Sequence, residues 1–179
     1  MKTLLKTIVL LLLSLLFIHC KPEPIEPIHY IDYNPDICLD FDDTAGLKKT
    51  YIDLFEDNIN DIFVRDYHGP SAQMTCLNNN LYICCGQRLN SQLEPILANV
   101  GIGNQINDRD WTKVLDGNIS AMPTNTDFFI ALKFIKKDGV HYGWMRVRHD
   151  WRIAEFIIKD YAIHNTAETP ILTGQKEKE

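Results

Sequence analysis

The sequence predicts an all-β protein, a single antiparallel β-sandwich-like domain with a C-terminal meander. Short runs rich in β-branched and aromatic residues recur along the chain, separated by turn-forming clusters such as "NPD", "HGPS" and "NNN". The last third holds three longer alternating runs joined by tight turns, which predicts the meander. Because no strand pattern alternates with a long amphipathic helix, a parallel α/β sheet is not expected.

The N-terminal segment precedes this domain. Lys2 and Lys6 form a short positive region before an apolar run over residues 8–18. This run is shorter than the roughly 20 residues that span a bilayer. This pattern is typical of a secretory signal. His19 and Cys20 come next, and Cys20 resembles a lipobox cysteine, although Phe17 and His19 depart from the usual leucine and small residue. We therefore predict a lipoprotein signal peptide over residues 1–19 with lipidation at Cys20. An ordinary cleaved secretory signal and an uncleaved anchor are the alternatives.

The segment "KPEPIEP" follows the cysteine and has three prolines in seven residues. Proline lacks an N–H and fixes its backbone, so residues 20–27 are expected to form an extended tether. The β-domain is then predicted over residues 28–175, and residues 176–179 form a charged tail.

The predicted strands follow in order. Those of the first half lie at residues 28–33, 37–41, 50–55, 61–67, 72–77 and 81–85. A short helix is predicted around residues 91–98, where strand alternation is absent. The meander is predicted from strands at 127–135, 140–148 and 151–164, with Phe128, Ile130, Leu132 and Phe134 on one face and Gly139 in a left-handed turn.

The stretch "DLFEDNINDIFV" resembles a calcium loop that lacks some of its ligands. Asp53, Asp57 and Asp61 occupy the first, fifth and ninth places, but Phe55 replaces the third oxygen ligand and Asn58 the turn glycine. Both flanks alternate as strands do. We therefore favour a hairpin in which Asn58 takes the left-handed conformation and aspartates bond local amides. A calcium site formed by Asp53, Asp57 and Asp61 is the alternative, and calcium is the only cofactor that the sequence suggests.

Two further groups of residues could carry function. Asp36, Asp40, Asp42 and Asp43 form an acidic cluster that could serve acid–base chemistry or a cation, and is more typical of a solvated turn. Aromatic and arginine side chains of the meander could form a binding surface for a glycan or protein, and are more typical of a core with arginines at the sheet edge. That candidate surface comprises Tyr142, Trp144, Arg146 and Trp151.

Four cysteines lie in the predicted domain: Cys38, Cys76, Cys84 and Cys85. An exported chain permits disulfides, and neighbouring cysteines rarely pair with each other. This predicts one bridge from Cys38 to Cys84 or Cys85, and one from Cys76 to the other, across a hairpin closed by "NNN". Buried thiols are the alternative. The spacing does not match a zinc site.

The charge and motif content exclude some classes of function. The chain has a formal net charge of −6 and no cluster of basic residues, so nucleic-acid binding is not expected. Serine-hydrolase and zinc-protease motifs are also missing from the sequence.

The C-terminal residues "HYGWMRVR" and "IIKDYAIHNTAETPILTGQ" resemble an uncharacterised family of small exported bacterial envelope proteins and lipoproteins. The matching positions are Tyr142, Gly143, Trp144, Arg146, Asp160, Tyr161, Ala162, Asn165, Thr166, Pro170, Ile171, Gly174 and Gln175. The resemblance covers about the last 40 residues well and the N-terminal third loosely. It implies an exported all-β domain and assigns no catalytic residue.

Together these observations predict a non-catalytic lipoprotein of the bacterial cell envelope, at the outer membrane, acting as a binding or structural module. Its expected partners are the membrane, through the lipid, and a glycan or protein at the cell surface. A calcium-stabilised adhesion module and a glycan hydrolase using the acidic loops are the alternative functions.

Overall fold

The computed structural model describes residues 27–40, 49–66, 72–89, 92–106, 110–116, 124–150 and 155–177. Within these ranges the fold is all-β and antiparallel, as predicted. The strands are β1 (Ile28–Asp40), β2 (Lys49–Ile52), β3 (Ile62–Asp66), β4 (Ala72–Cys76), β5 (Leu81–Cys84), β6 (Gly86–Leu89), β7 (Gln92–Pro95), β8 (Gly101–Ile102), β9 (Val114–Asp116), β10 (Asp127–Lys136), β11 (Gly139–Asp150), β12 (Glu155–His164) and β13 (Ile171–Leu172). In these residues no helix is long and apolar enough to cross a membrane.

A five-stranded central sheet organises the molecule, in the order β1-β12-β11-β10-β5. The predicted meander is confirmed, because β10, β11 and β12 are consecutive neighbours. The turn between β10 and β11 uses Gly139 at a φ of 134°, a left-handed value that glycine adopts without steric cost. Gly143 lies where the backbones approach closely, since a Cβ there would come within 2.5 Å of the Ala162 carbonyl oxygen.

The inner face of the central sheet is buried, and its outer face is buried in part. The inner face packs on a four-stranded sheet, β2-β3-β4-β9, through a large apolar cluster. The outer face is covered in part by the β8–β13 pair and its neighbouring loops. The residues predicted for one face of β10 all lie in the inner cluster, which confirms that alternation: Phe128, Ile130, Leu132 and Phe134.

Three predicted elements differ in the structure. The strands predicted at 28–33 and 37–41 form one strand, β1, with a register shift between Asp32 and Ile37 and a cis Asn34–Pro35 peptide bond. The helix predicted at 91–98 is wrong, because residues 92–95 form β7 and pair with β6. The "NNN" segment closes no hairpin: it carries the chain from β4, in the four-stranded sheet, to β5, in the central sheet.

Candidate functional site

An open groove of about 630 Å³ lies where three segments meet. These are the loop between β2 and β3, the turn between β4 and β5, and the turn end of the β10–β11 hairpin. Concave surfaces with a few polar groups beside apolar ones are the usual places where proteins bind ligands. The lining residues are Phe55, Asp57, Asn78, Asn80, Phe134, Ile135, Lys136 and Lys137.

The loop that forms one wall is organised by Asp53. Its carboxylate accepts hydrogen bonds from the backbone N–H groups of Phe55 (3.1 Å), Asp57 (3.3 Å) and Asn58 (2.7 Å). Asn58 has a φ of 65°, the left-handed conformation predicted for it. Burial opposes ionisation of Asp53, but the backbone donors outweigh it and hold the pKa of this carboxyl below its ordinary value.

Asp61 fixes the same loop to the turn on the other side of the groove. Its side chain is only 2% exposed. One carboxylate oxygen accepts the Leu54 N–H at 2.9 Å, and the other accepts the Asn78 amide at 2.8 Å. The Asp61 carbonyl also accepts the Leu77 N–H at 2.8 Å. Burial raises the pKa of Asp61 despite these donors. The groove walls are therefore held by hydrogen bonds rather than by side-chain packing alone.

The hairpin interpretation of this stretch is confirmed, since β2 and β3 pair on either side of the loop. Asp57 accepts the N–H of Ile59 at 2.9 Å, so all three aspartates bond local amides. In the ranges that the structure describes, no group of three histidine, cysteine or carboxylate side chains is placed to hold a metal ion. The calcium site at Asp53, Asp57 and Asp61 stays a prediction.

Aromatic rings and a lysine form the floor of the groove. Phe55, expected in a strand, lies in the loop and packs on Phe134 with ring centroids 4.4 Å apart. The Lys136 ammonium lies 4.4 Å from the Phe55 centroid and 5.5 Å from that of Phe134. Ile135 on the rim is well exposed. The groove thus offers cationic, apolar and amide contacts together.

The structure buries Trp144, one of the four residues of the predicted binding surface. Trp144 is 0% exposed and packs edge-on against Phe129 at 5.4 Å. Tyr142 packs beside it, half-buried. Trp151 lies outside the described residues. The prediction of Trp144 as a surface contact is wrong, and for this residue the core interpretation is confirmed, because the β8–β13 pair covers this part of the outer face.

Arg146 belongs to a network of charges instead of a ligand surface. Its guanidinium donates two bonds to Asp160, at 2.8 and 2.7 Å, and Asp160 is fully buried. Tyr30 donates a third bond to Asp160 at 2.9 Å, and the Lys176 ammonium lies 3.3 Å from it. Tyr30 belongs to β1 and Lys176 follows β13, so the network connects two distant segments of the chain to Asp160 in β12. The sequence did not indicate this network, because an aspartate in an alternating strand is ordinarily an exposed polar residue. The partners of Asp160 lie far from it in the chain.

Cys76, Cys84 and Cys85 are free thiols in this structure, and the Cys38 thiol donates a hydrogen bond to the Glu155 carboxylate at 3.1 Å. Cys38 lies in β1 and Cys84 in β5, at opposite edges of the central sheet, so about 19 Å of sheet separates these strands. The predicted bridge from Cys38 to Cys84 or Cys85 is incompatible with that order, because bridged Cα atoms lie within about 7 Å. Cys84 and Cys85 are buried, as in the alternative interpretation, and burial raises their pKa values to about 11 and about 12.

The remaining predicted residues fall partly outside the described ranges. The residues outside the described ranges include Asp42, Asp43, the predicted lipidation residue Cys20 and the predicted signal peptide. Asp36 is exposed on β1. Among known proteins, no family model, no curated protein and no solved structure matches this chain.

Proposed function

We propose that this chain is a non-catalytic binding module of the bacterial cell envelope, held at the outer membrane by a lipid on Cys20. The observation that carries the binding role is the groove beside the loop at residues 53–61. Its walls are fixed by backbone hydrogen bonds to two aspartates. When the residues of a site are already ordered, ligand binding does not incur the entropic cost of ordering them.

The lining favours a ligand with both polar and apolar groups. Phe55 and Ile135 offer apolar contacts, Asn80 offers an amide, and Lys136 and Lys137 offer cations. Glycans and peptides from the cell surface have this mixed character. The ligand would bind between the loop and the hairpin end without a large rearrangement of either.

The residue at which the proposed tether would enter the domain, Ile28, lies at the same end of the central sheet as the groove. Ile28, the first residue of β1, pairs with His164, whose carbonyl lies 2.9 Å from Nδ1 of His141. His141 in turn pairs with Phe134, which lines the groove. Three strand spacings, about 14 Å, therefore separate Ile28 from Phe134 in the groove lining. A lipid on Cys20 would hold the groove near the membrane.

Two of the acidic-loop carboxylates that a hydrolase could use, those of Asp53 and Asp61, are already used within the loop. Asp61 is buried and both of its oxygens accept hydrogen bonds. Asp53 accepts three. A general acid or base must be within reach of its substrate. This arrangement supports the binding role over the catalytic alternative.

The anchor is tested by cell fractionation and palmitate labelling. Because lipidation needs the thiol of Cys20, Cys20→Ser should abolish labelling and move the protein from the membrane to the soluble fraction. Cys38→Ser, which removes an exposed thiol of the domain, is the matched control and should leave both readouts unchanged. Membrane retention of Cys20→Ser would contradict the proposed anchor.

The groove is tested in the same cells with a photo-crosslinking residue at position 135, on the groove rim, or at position 97, an exposed position outside the groove lining. An adduct formed only from position 135 supports the proposed site. Equal adducts from both positions, or none from position 135, would contradict it.

A further inference from the structure

The four-stranded sheet presents a row of side chains on the face turned away from the core. Tyr51 pairs with Phe63, Phe63 with Thr75, and Thr75 with Val114, so one residue from each strand lies in the row. The alternate positions of these strands, such as Ile52, Ile62, Met74 and Leu115, fill the inner cluster. We call the row of Tyr51, Phe63, Thr75 and Val114 the aromatic row.

The aromatic row is accessible to solvent. Tyr51 is 48% exposed and Val114 is 38% exposed. The rings of Tyr51 and Phe63 lie 5.1 Å apart with 36° between their planes, and Phe63 and Thr75 are half-buried. The row crosses three strand spacings, about 14 Å. It is therefore an extended strip rather than a pocket.

A second row of polar and cationic side chains lies beside it. Lys49 pairs with Arg65, Arg65 with Gln73, and Gln73, which is only 8% exposed, with Asp116. Arg65 donates to the Gln73 oxygen at 2.6 Å, which orients its guanidinium, and this group lies 6.0 Å from the Phe63 ring centre. Two residues along a strand separate the rows, about 7 Å. Lys49 and Arg65 thus place two cations beside Tyr51 and Phe63, while the β9 end of this second row carries an acidic residue, in a chain whose net charge is −6.

We propose that this face binds an acidic polysaccharide laid across the four strands. Apolar faces of its sugar rings would contact Tyr51 and Phe63, and its carboxylates would contact Lys49 and Arg65. The proposal names a ligand class for the binding module proposed above, on a surface separate from the groove.

The dimensions favour a polysaccharide over a protein partner. A stable protein interface buries about 800 Å² on each side around an apolar centre. The aromatic row is one residue wide, and only Tyr51 and Val114 in it are large apolar side chains with substantial exposure. An extended sugar chain matches a narrow strip, and the cations beside the strip select for negative charge.

The proposal is tested by affinity electrophoresis of the purified protein in gels that contain polygalacturonate. A matched gel contains the methyl-esterified polymer, which keeps the sugar backbone and lacks the charge. We expect retardation by polygalacturonate that weakens with salt, and much less by the ester. Tyr51→Ala should weaken binding about tenfold, and Lys49→Gln should weaken it while lowering the salt dependence.

Leu97→Ala is the control, since it shortens another exposed apolar side chain that is 52% exposed. It should bind as the unaltered protein does, and thermal melting should show that all variants fold. Equal retardation of Tyr51→Ala and the unaltered protein would overturn the proposal, as would equal retardation by both polymers or by neither. Loss of self-association in Tyr51→Ala, without polysaccharide binding, would instead assign the row to a second copy of the chain. The fractionation of Cys20→Ser and the crosslinking from position 135 test the anchor and the groove, and their results do not depend on polysaccharide binding. Failure of the proposed function can therefore be told apart from failure of this proposal.

Discussion

The outer face of the central sheet has an apolar half and a charged half. In the apolar half, Trp144, Phe129 and Ala162 pack under the β8–β13 pair. In the charged half, Asp127 and Asp160 bind cationic side chains from β11 and β12. One half of this face is therefore removed from water by hydrophobic contacts. The charged side chains of the other half are partly removed from water and form ion pairs with one another. These two halves should respond differently to mutation, salt and pH.

A β-bulge between β11 and β12 lies at the boundary of the two halves. Arg146 pairs with Asp160, but the next residue, Val147, pairs with Ile158, so Lys159 is the extra residue. Lys159 then reaches Asp127 at 2.8 Å while Asp160 binds Arg146. The bulge thus lets two consecutive residues of one strand both join the network on this face.

The largest effect is expected in the apolar half. Trp144→Ala should lower the free energy of unfolding by about 4 kcal/mol, because it leaves a cavity under the β8–β13 pair. Its indole also donates a 3.0 Å bond to the Gln175 carbonyl. Trp144→Phe keeps most of the packing and should lose less than half as much. Urea denaturation at low and high salt should give the same loss, and a strong salt dependence would contradict the apolar assignment.

A smaller effect is expected at Asp160, the residue of the charged half that lies at the bulge. Asp160→Ala should cost about 3 kcal/mol, since it leaves Arg146 beside a buried position without its carboxylate. Tyr30 loses its acceptor as well. Asp160→Asn, which keeps the size and one acceptor, is the matched control and should cost less. If urea denaturation showed Asp160→Ala to be as stable as the unaltered protein, the network would have no structural role.

The smallest effect is expected in the charged half. Burial opposes ionisation of Asp127, but bonds from Lys159 and Arg148 outweigh it and hold its pKa below the ordinary value of 3.8. A depressed carboxyl pKa stabilises the fold above the unfolded-state pKa and ceases to do so as pH falls through the folded-state value. Asp127→Asn should therefore cost about 1 kcal/mol or less at pH 6.

That difference should shrink as the pH falls from about 4 toward 2, and also in high salt. Urea titrations of both proteins across this range provide the measurement. Asp36→Asn, at an exposed carboxyl of β1, is the control for general charge effects. A stability difference that grows as the pH falls would contradict the predicted sign.

The candidate groove shows what local sequence can and cannot predict. The left-handed Asn58 and the backbone bonds of the aspartates follow from residues close in sequence, so the turn was predicted correctly. The contact between Phe55 and Phe134 joins residues far apart in the chain, and no local pattern indicates it. Trp144 is typical of a core residue by its type, but the layer that covers it depends on β13 returning over the outer face.

The sequence by itself determined the all-β class, the meander, the alternation along β10 and the positive φ of Gly139. These features depend on side-chain alternation and turn chemistry, which act over a few residues. Only the tertiary structure decided which faces are covered, how β4 and β5 divide between two sheets, and how Asp160 meets Tyr30 from β1. Those features depend on strand order and register, because pairing between distant strands, rather than local periodicity, decides what each face contacts.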